Sequence, residues 1–295
     1  MHEIVIGVHA SQGATHALEW GLNEAQSSRR PARVLFAYQW PSPVRKSDRA
    51  EVQDARRGAH GLAAELLEKA LAVRGPSSEV AAVSEAREGD PAHVLVEASA
   101  DAGLIVVNGR KRSRVVGSPL GSVTAHVLHH AACPVMVVPG ELDLLGLGPV
   151  RIVVGVDASH SARSALRWAL DAGRRHGCPV AVMYVCPTDV PPVTRPMAFD
   201  PELPDFEEVM LRWVKNEISE CRAKGDVTVA VPQIRHGSAA AGLLFEAGPE
   251  DLLVVGSRGH GGFVGLVLGS VAMQCTKHAR GAVVVVRQGE ERLDA

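Results

Sequence analysis

The chain has 295 residues, a length at which two domains of ordinary size are expected. Hydrophobic residues make up 46% and charged residues 22%, as in an average globular protein, which excludes a largely disordered or fibrous chain. The formal net charge of −2 provides no overall attraction for nucleic acid or an anionic membrane, so neither is expected as a partner.

The sequence repeats itself from end to end with a displacement of 148 residues. Ile4–Ser11 aligns with Ile152–Ser159, and Gly121–Val123 aligns with Gly269–Val271. A repeat of this length indicates a duplicated domain, because solenoid units are far shorter. We predict a first domain at 1–140, a linker at 141–150 and a second domain at 151–290.

In the second half, predicted strands and helices alternate along the chain. Strands are expected at 151–156, 180–185, 227–231, 252–255 and 282–287, and helices at 161–176, 205–224, 238–247 and from 270 onward. Alternation of this kind predicts parallel strands with right-handed crossovers, and therefore an α/β, doubly wound sheet in each half. Ligands of such sheets bind beyond the carboxyl ends of the strands, at the topological switch point.

Two segments of the second half fall at that edge. The first predicted strand leads to Asp157, and the fourth leads to Gly256-Ser257-Arg258-Gly259 and then, through further glycines, to Gly269-Ser270. Glycine lets the backbone approach a ligand closely, and the helix expected at Ser270 offers free amides to an anion, typically phosphate. Arg258 adds a fork of donors for phosphate oxygens. The alternative is a tight surface connection in which Ser270 only caps a helix.

The spacing of these residues resembles the G-x2-G-x9-G-[ST] ATP-binding signature of the universal stress protein family. Val-Gly-Val-Asp-x-Ser at 154–159 resembles the first strand of that family, and the duplicated layout resembles its tandem-domain members, known especially from actinobacteria. The resemblance covers nearly the whole chain. It implies a five-stranded parallel sheet in the order 3-2-1-4-5 in each half, similar to adenine-nucleotide α-hydrolase-like folds.

The resemblance also implies where ATP, with or without Mg²⁺, would bind. The signature glycines and Ser270 would hold the phosphates and ribose, Asp157 would lie at the base and ribose end, and the backbone of Val185, after the second strand, would meet the adenine edge. No catalytic or metal-binding residue is assigned. The expected binding residues are Asp157, Ala158, Ser159, Val185, Gly256, Arg258, Gly259, Gly269, Ser270 and Val271.

The first half departs from this pattern. His9 replaces Asp157, Asn108 replaces Gly256 and Lys111 replaces Gly259, although Gly121-Ser122 remain. A side chain at position 111 occupies a place where close backbone approach is wanted. We therefore expect the first half to bind ATP weakly or not at all. The basic run at 110–114 leaves two alternatives open: it grips a polyphosphate or another anion, or it is a solvated loop.

No Walker A string occurs, and no Asp or Glu lies between Leu252 and Gly289, so binding with slow or negligible turnover is expected. The function favoured is a nucleotide-dependent regulatory protein of the stress response, whose ATP-bound second domain is recognised by an unidentified protein partner. Two alternatives stay open. One is a slow ATPase or another enzyme that handles adenine nucleotides, and the other is a dimeric scaffold that needs no nucleotide.

The remaining features are treated as structural. Five cysteines without C-x-x-C spacing indicate reduced thiols, and no apolar run approaches the roughly 18 residues of a membrane helix, so we expect a soluble cytoplasmic protein. His126, His129 and His130 have helical spacing that would suit a metal, although a place on the helix surface is favoured. The fifth strand of each half is expected at a sheet edge, which predicts pairing of the halves and a homodimer of chains.

Overall fold

Alternating strands and helices build both halves of the chain. The computed structural model describes residues 2–9, 14–39, 49–74, 79–109, 120–140, 148–186, 206–259 and 268–287. The chain divides into two units, Met1–Gly148 and Pro149–Ala295, and each is described by itself. The basic run at 110–114, with Lys111, lies outside the described residues.

The first unit contains one parallel sheet covered by helices. Its elements are β1 (Glu3–Val8), α1 (Ala14–Ser28), β2 (Ala32–Tyr38), α2 (Arg49–Arg74), β3 (Ala82–Glu88), α3 (Pro91–Ala98), β4 (Ala102–Asn108), α4 (Ser122–His130) and β5 (Val135–Val138). The described strands lie in the order β3-β2-β1-β4-β5, and every pair in this series is parallel.

The second unit repeats this arrangement. Its elements are β6 (Arg151–Gly155), α5 (His160–His176), β7 (Val180–Cys186), α6 (Phe206–Cys221), β8 (Ala230–His236), α7 (Ala239–Glu246), β9 (Asp251–Gly256), α8 (Ser270–His278) and β10 (Val283–Val286). The strands lie in the order β10-β9-β6-β7-β8, all parallel. The predicted α/β architecture with a 3-2-1-4-5 sheet in each half is confirmed.

The core of the second unit is formed by short aliphatic strands and by the apolar stripe of α5. Ile152, Val153 and Val154 of β6 are all fully buried. On α5, buried residues recur at helical spacing: Ala162, Ala165, Leu166, Ala169 and Leu170. This spacing explains why the segment folds as a helix that packs on the sheet.

The third strand of the second unit differs from the prediction. A strand was expected at 227–231, whereas β8 begins at Ala230. The side chain of Asp226 accepts hydrogen bonds from the Thr228 amide and hydroxyl, at 2.9 and 2.6 Å, and holds a turn there instead. Val227 is 89% exposed, so the apolar run that suggested a strand lies outside the core. The strand itself carries polar residues because it lies at the edge of this sheet.

The order of strands fixes where a ligand can bind in the second unit. β6 and β9 are neighbours at the centre of the sheet, with Val154 opposite Val254. The chain runs from β6 outward to one side and from β9 outward to the other, which makes their carboxyl ends the topological switch point. Among the described residues, no helix has the length and apolar character needed to cross a membrane.

Candidate functional site

Asp157 and Ala158 leave the carboxyl end of β6 in an unusual backbone conformation. Ala158 has a φ of +65°, one of two positive values among the described non-glycine residues. For a residue with a Cβ this conformation costs about 1–2 kcal/mol, so the surrounding contacts must enforce it. One such contact is the Ser159 amide, which donates to Asp157 Oδ1 at 3.1 Å. The turn therefore holds the Asp157 carboxylate at the rim of the sheet.

Gly259 lies directly against this carboxylate. A Cβ built on Gly259 would stand 2.5 Å from Asp157 Oδ2, far inside van der Waals contact. The loop backbone at the second glycine of the signature therefore lies against the aspartate that follows the first strand, and a side chain at 259 would have to displace that carboxylate. Positions separated by more than a hundred residues in the sequence form one steric pair.

Gly256 forms a second pair of this kind with α5. A Cβ on Gly256 would lie 2.7 Å from Ser161 Oγ and 2.9 Å from the backbone nitrogen of Ala162. Because one of these neighbours is backbone, they cannot simply rotate away. The first glycine of the signature thus lets the end of β9 approach the first turn of α5.

Ser161 joins the two segments by hydrogen bonds and was not expected from the sequence. Its side chain is buried, with 4% of the residue exposed. The Ser161 hydroxyl donates to the carbonyl oxygen of Arg258, and the Arg258 amide donates to Ser161 Oγ at 3.3 Å. Ser159 Oγ also donates to the Arg258 carbonyl at 3.3 Å and accepts from the Ala162 amide at 3.2 Å, capping α5. A serine two positions after a helix cap is too common to have indicated this contact.

The start of α8 closes the site. The Gly269 amide donates to the Ser257 carbonyl at 2.7 Å, which brings the beginning of the helix onto the end of β9. Gly269 provides no side-chain cap, and no side chain of the described residues is seen to satisfy the first amides of α8. Ser270 is exposed and Val271 is half-buried. This helix start therefore presents N–H groups and the positive end of the helix dipole.

Arg258 extends from the same loop. Arg258 is exposed, and its guanidinium forms no ion pair within the described part of the chain. A cation beside an uncapped helix start makes this rim electropositive, apart from the Asp157 carboxylate. The arrangement can hold a strongly anionic group on one side and a hydrogen-bond donor on the other.

Val185 lies next to the end of β7, which continues one residue beyond the predicted strand at 180–185, to Cys186. Its side chain is buried against α7, where a Cβ on Gly242 would stand 3.1 Å from Val185 Cγ2. The structure thus brings the other predicted residues together at the ends of β6 and β9 and at the start of α8, while Val185 contributes from the neighbouring strand.

Tyr184, also not expected, supplies an aromatic group near Asp157. Its ring meets that of Trp213 on α6 edge to face, with centroids 5.5 Å apart. Burial raises the pKa of Tyr184, and the nearby Cys186 thiol and Asp157 carboxylate raise it further. The phenol therefore stays protonated at neutral pH. A single tyrosine in an apolar strand carries no sequence signal for this placement.

The corresponding edge of the first unit has different contacts. His9 follows β1 where Asp157 follows β6, and partial desolvation lowers the pKa of His9. Asn108 ends β4, and Thr124 Oγ1 of α4 donates to its carbonyl oxygen at 2.8 Å. Gly121 precedes α4 without a side-chain cap, as Gly269 precedes α8. The helix start is retained in the first unit, whereas the carboxylate is absent from this position.

The histidines and cysteines form no competing site in the described parts of the chain. His126 and His130 stack on α4 with ring centroids 4.3 Å apart, and His93 meets His126 edge to face at 5.2 Å. No described group of three or more His, Cys, Asp or Glu residues has the geometry to hold a metal ion. All five cysteines are free and buried, and burial raises the pKa of the Cys275 thiol to about 12. Buried neutral thiols of this kind are poor nucleophiles.

Comparison with known proteins identifies the wider group. A universal stress protein of Mycolicibacterium smegmatis is 27% identical over 292 residues, covering 96% of both chains. One of Mycobacterium tuberculosis is 29% identical over 299 residues, covering 97% of this chain and 96% of the relative. The crystal structure of a universal stress protein from Archaeoglobus fulgidus has the same fold, with a TM-score of 0.67 at 19% identity over 99% of this chain and 98% of that one.

The family model agrees with these relatives. The model of the universal stress protein family matches the chain twice, over residues 1–139 and 150–287. The predicted resemblance, including its tandem layout, is confirmed. The chain belongs to the universal stress protein family.

Proposed function

We propose that the second unit binds one ATP at the carboxyl ends of β6 and β9 and that the protein acts as a nucleotide-dependent regulator. The observation that carries this proposal is the steric pairing of Asp157 with Gly259, whose missing Cβ would lie 2.5 Å from the carboxylate. This pairing brings the loop backbone at Gly259 against the Asp157 carboxylate at the edge where the sheet topology directs a ligand.

The phosphates are assigned to the start of α8. Its first amides have no side-chain cap, Ser270 adds an exposed hydroxyl, and Arg258 adds an exposed guanidinium. Backbone N–H groups at a helix start together with an arginine fork suit phosphate oxygens. Mg²⁺, where present, would bind phosphate oxygens and water, with Ser270 as the protein ligand within reach, because Asp157 is engaged by the Ser159 amide.

The base and ribose are assigned to the other end of the site. Asp157 can accept hydrogen bonds from ribose hydroxyls, and the neighbouring end of β7 offers the backbone of Val185 and the ring of Tyr184. The half-buried Tyr184–Trp213 pair gives this end an apolar wall next to a carboxylate. A nucleoside needs both, since its base is apolar on its faces and its sugar is polar.

The regulatory role is favoured over hydrolysis by the groups at the phosphate end. The described residues there supply a cation, a hydroxyl and amides; among them Asp157 is the one carboxylate close to the signature loop, and we assign it to the ribose end, with its Oδ1 also accepting from the Ser159 amide. Hydrolysis also needs a positioned water and charge stabilisation. ATP would act as a switch by binding more tightly to one state of the loop than to another.

A homodimer that presents this switch to a protein partner is part of the proposal. Phe245 on α7 is 82% exposed, and the first half carries Glu97 at the equivalent position. Single exposed apolar side chains are common on monomeric proteins, so Phe245 marks a position to probe and the assembly is decided by experiment. Light scattering at micromolar concentration tests the assembly, and a strict 31.2 kDa species would contradict it.

Calorimetry with the full chain tests the site and its location in one experiment. The wild type is expected to bind one ATP per chain. Gly269→Val is expected to abolish binding, because a side chain there meets the Ser257 carbonyl and Arg258, within 3.4 Å of a Cβ. The matched variant Gly121→Val in the first unit is expected to leave the stoichiometry unchanged. Two ATP per wild-type chain, or loss of binding in Gly121→Val alone, would contradict the proposal.

Phosphate release separates the regulatory role from enzymatic turnover. The wild type is expected to release phosphate at a rate indistinguishable from that of Gly269→Val. Robust release that is lost in Arg258→Ala would instead establish an ATPase with Arg258 in its machinery.

A further inference from the structure

We propose that Ser161 is the positioning residue of the binding loop, and that it sets the path of the backbone at Arg258 before any ligand arrives. This inference rests on the proposed function for its ligand, although its structural part stands without one. Ser161 itself is 4% exposed and is not offered as a contact to nucleotide.

The geometry of the contact carries the first step. The hydroxyl of Ser161 donates to the carbonyl oxygen of Arg258, and the amide of the same residue donates back to Ser161 Oγ at 3.3 Å. One side chain thus restrains the peptide groups on both sides of a single residue. These bonds leave the φ and ψ angles of Arg258 little freedom. They therefore also fix the direction in which the Arg258 side chain leaves the backbone.

The anchor of Ser161 is rigid, which is the second step. Ser161 lies in the first turn of α5, where Ser159 caps the helix by accepting from the Ala162 amide at 3.2 Å. Arg163, two residues further on, is held at 2.6 Å by Glu217 of α6, a carboxylate that is 5% exposed. The loop that would meet the ligand is therefore tied to a helix that is itself fixed in the unit.

The third step is the steric fit between Ser161 and Gly256. A Cβ on Gly256 would stand 2.7 Å from Ser161 Oγ, 2.8 Å from the Ser161 carbonyl carbon and 2.9 Å from the Ala162 nitrogen. Glycine at 256 therefore lets the end of β9 approach the backbone of α5 closely enough for the Ser161 hydroxyl to reach Arg258. In the first half of the sequence, glycine occupies position 13 and asparagine occupies position 108, so neither the hydroxyl nor the glycine is present there.

Amide hydrogen exchange of the ligand-free full chain, followed by residue-resolved NMR, tests the restraint directly. In Ser161→Ala, the Arg258 amide is expected to exchange about tenfold faster, as expected for the loss of one hydrogen bond. The Ser257 amide provides an internal control, because it donates to the Val286 carbonyl at 2.8 Å and does not depend on Ser161. Ser161→Thr, which keeps a hydroxyl, is expected to restore slow exchange at Arg258. Equal exchange at Arg258 in wild type and Ser161→Ala would overturn the proposal.

ATP affinity provides the second readout. Ser161→Ala is expected to weaken ATP binding by about five- to tenfold, with recovery in Ser161→Thr. Thr276→Ala is the matched control, because that hydroxyl bonds only to the carbonyls of Ala272 and Met273 within α8. A merely structural serine would lower the denaturation midpoint without changing the affinity of the folded protein, and that result would also overturn the proposal.

The two arms keep this inference distinguishable from the proposed function. If the wild type binds no ATP, the proposed function fails, while faster exchange at Arg258 alone would still support Ser161 as the loop-positioning residue. If the wild type binds ATP and neither exchange nor affinity responds to Ser161→Ala, the proposed function stands and the role of Ser161 is wrong.

Discussion

Asp157 and Gly259 compete for the same space at the end of the second sheet. A Cβ on Gly259 would be 2.5 Å from Asp157 Oδ2, and the next nearest atom among the described residues, chain neighbours aside, is Cγ of the same carboxylate, at 3.7 Å. Within the described part of the chain, the space for a side chain at 259 therefore depends on Asp157. Such a relationship predicts that substitutions at the two positions are coupled.

We expect Gly259→Ala to destabilise the protein by about 1–3 kcal/mol and to weaken ATP binding at least tenfold, because the new methyl group displaces the carboxylate. The double variant Asp157→Ala/Gly259→Ala is expected to lose less folding stability than the two single changes together. A double-mutant cycle of urea unfolding measures this coupling. Gly61→Ala is the matched control, since no atom lies within 4 Å of a Cβ there. Strict additivity would argue against the steric pairing.

Ala158→Gly is expected to stabilise the protein. Ala158 has a φ of +65°, a conformation that glycine adopts without steric cost. Part of the gain is offset because glycine is freer in the unfolded chain, so a net increase of about 0.5–1 kcal/mol is expected. Ala279→Gly, at an ordinary φ of −59°, should instead leave stability unchanged or lower it. Unfolding of both variants by denaturant gives the comparison, and a destabilised Ala158→Gly would be the contrary result.

Breaking the ion pair between Arg163 and Glu217 is expected to cost more folding stability than breaking an exposed ion pair on the same helix. Glu217 is 5% exposed on its side chain, and Arg163, at 2.6 Å, is 42% exposed. Arg163→Ala leaves a buried carboxylate without its main partner, so a loss of about 2–3 kcal/mol is expected. Arg174→Ala removes an exposed partner of Asp171 on the same helix and should cost less than about 1 kcal/mol. Chemical denaturation of both variants tests this order, and similar losses would disagree with it.

Cys275 is expected to make stability depend on pH above pH 9. Burial raises the pKa of this thiol from 9.0 to about 12, so the unfolded chain releases the proton at lower pH than the folded one. The stabilising contribution is complete below pH 9 and is lost as the pH rises towards 12. Burial also raises the pKa values of Cys178 and Cys221, which add to the decline.

Cys275→Ala should make this decline shallower, by at most about 1.4 kcal/mol per pH unit. Urea unfolding at a series of pH values from 8 to 11 measures the slope, and Thr276→Ala on the same helix should keep the wild-type slope. An unchanged slope in Cys275→Ala would mean that this thiol does not titrate differently in the two states.

The sequence was sufficient for the architecture because the relevant signals are local or repeated. Short valine-rich runs separated by amphipathic segments predict parallel strands and helices. Because the sequence repeats after 148 residues, each element can be predicted from two copies. The third strand of the second half was placed wrongly. Its apolar residues, Val227 and Val229, are exposed, whereas the real strand at Ala230–His236 is partly polar. Edge strands are harder to predict from the alternation of apolar and polar residues, because only part of their surface is buried.

The same limit applies to the site. Glycines at 256, 259 and 269 could be read from their spacing, but nothing local says which side chains require them. Ser161 and Tyr184 were not expected because each acts through a partner that is remote in sequence, Arg258 for the first and Asp157 with Trp213 for the second. Val185 was expected at the end of its strand and lies one residue before that end, because β7 continues to Cys186.

By itself, the sequence determined a duplicated chain of alternating strands and helices, which follows from the internal repeat and from periodicity over a few residues at a time. The order of the strands and the half that keeps the glycine signature came from the resemblance to a known family. Only the tertiary structure decided that Gly256 faces Ser161 and that Gly259 faces Asp157. Both pairs arise because parallel packing brings the carboxyl ends of β6 and β9 side by side, and excluded volume then links positions about one hundred residues apart.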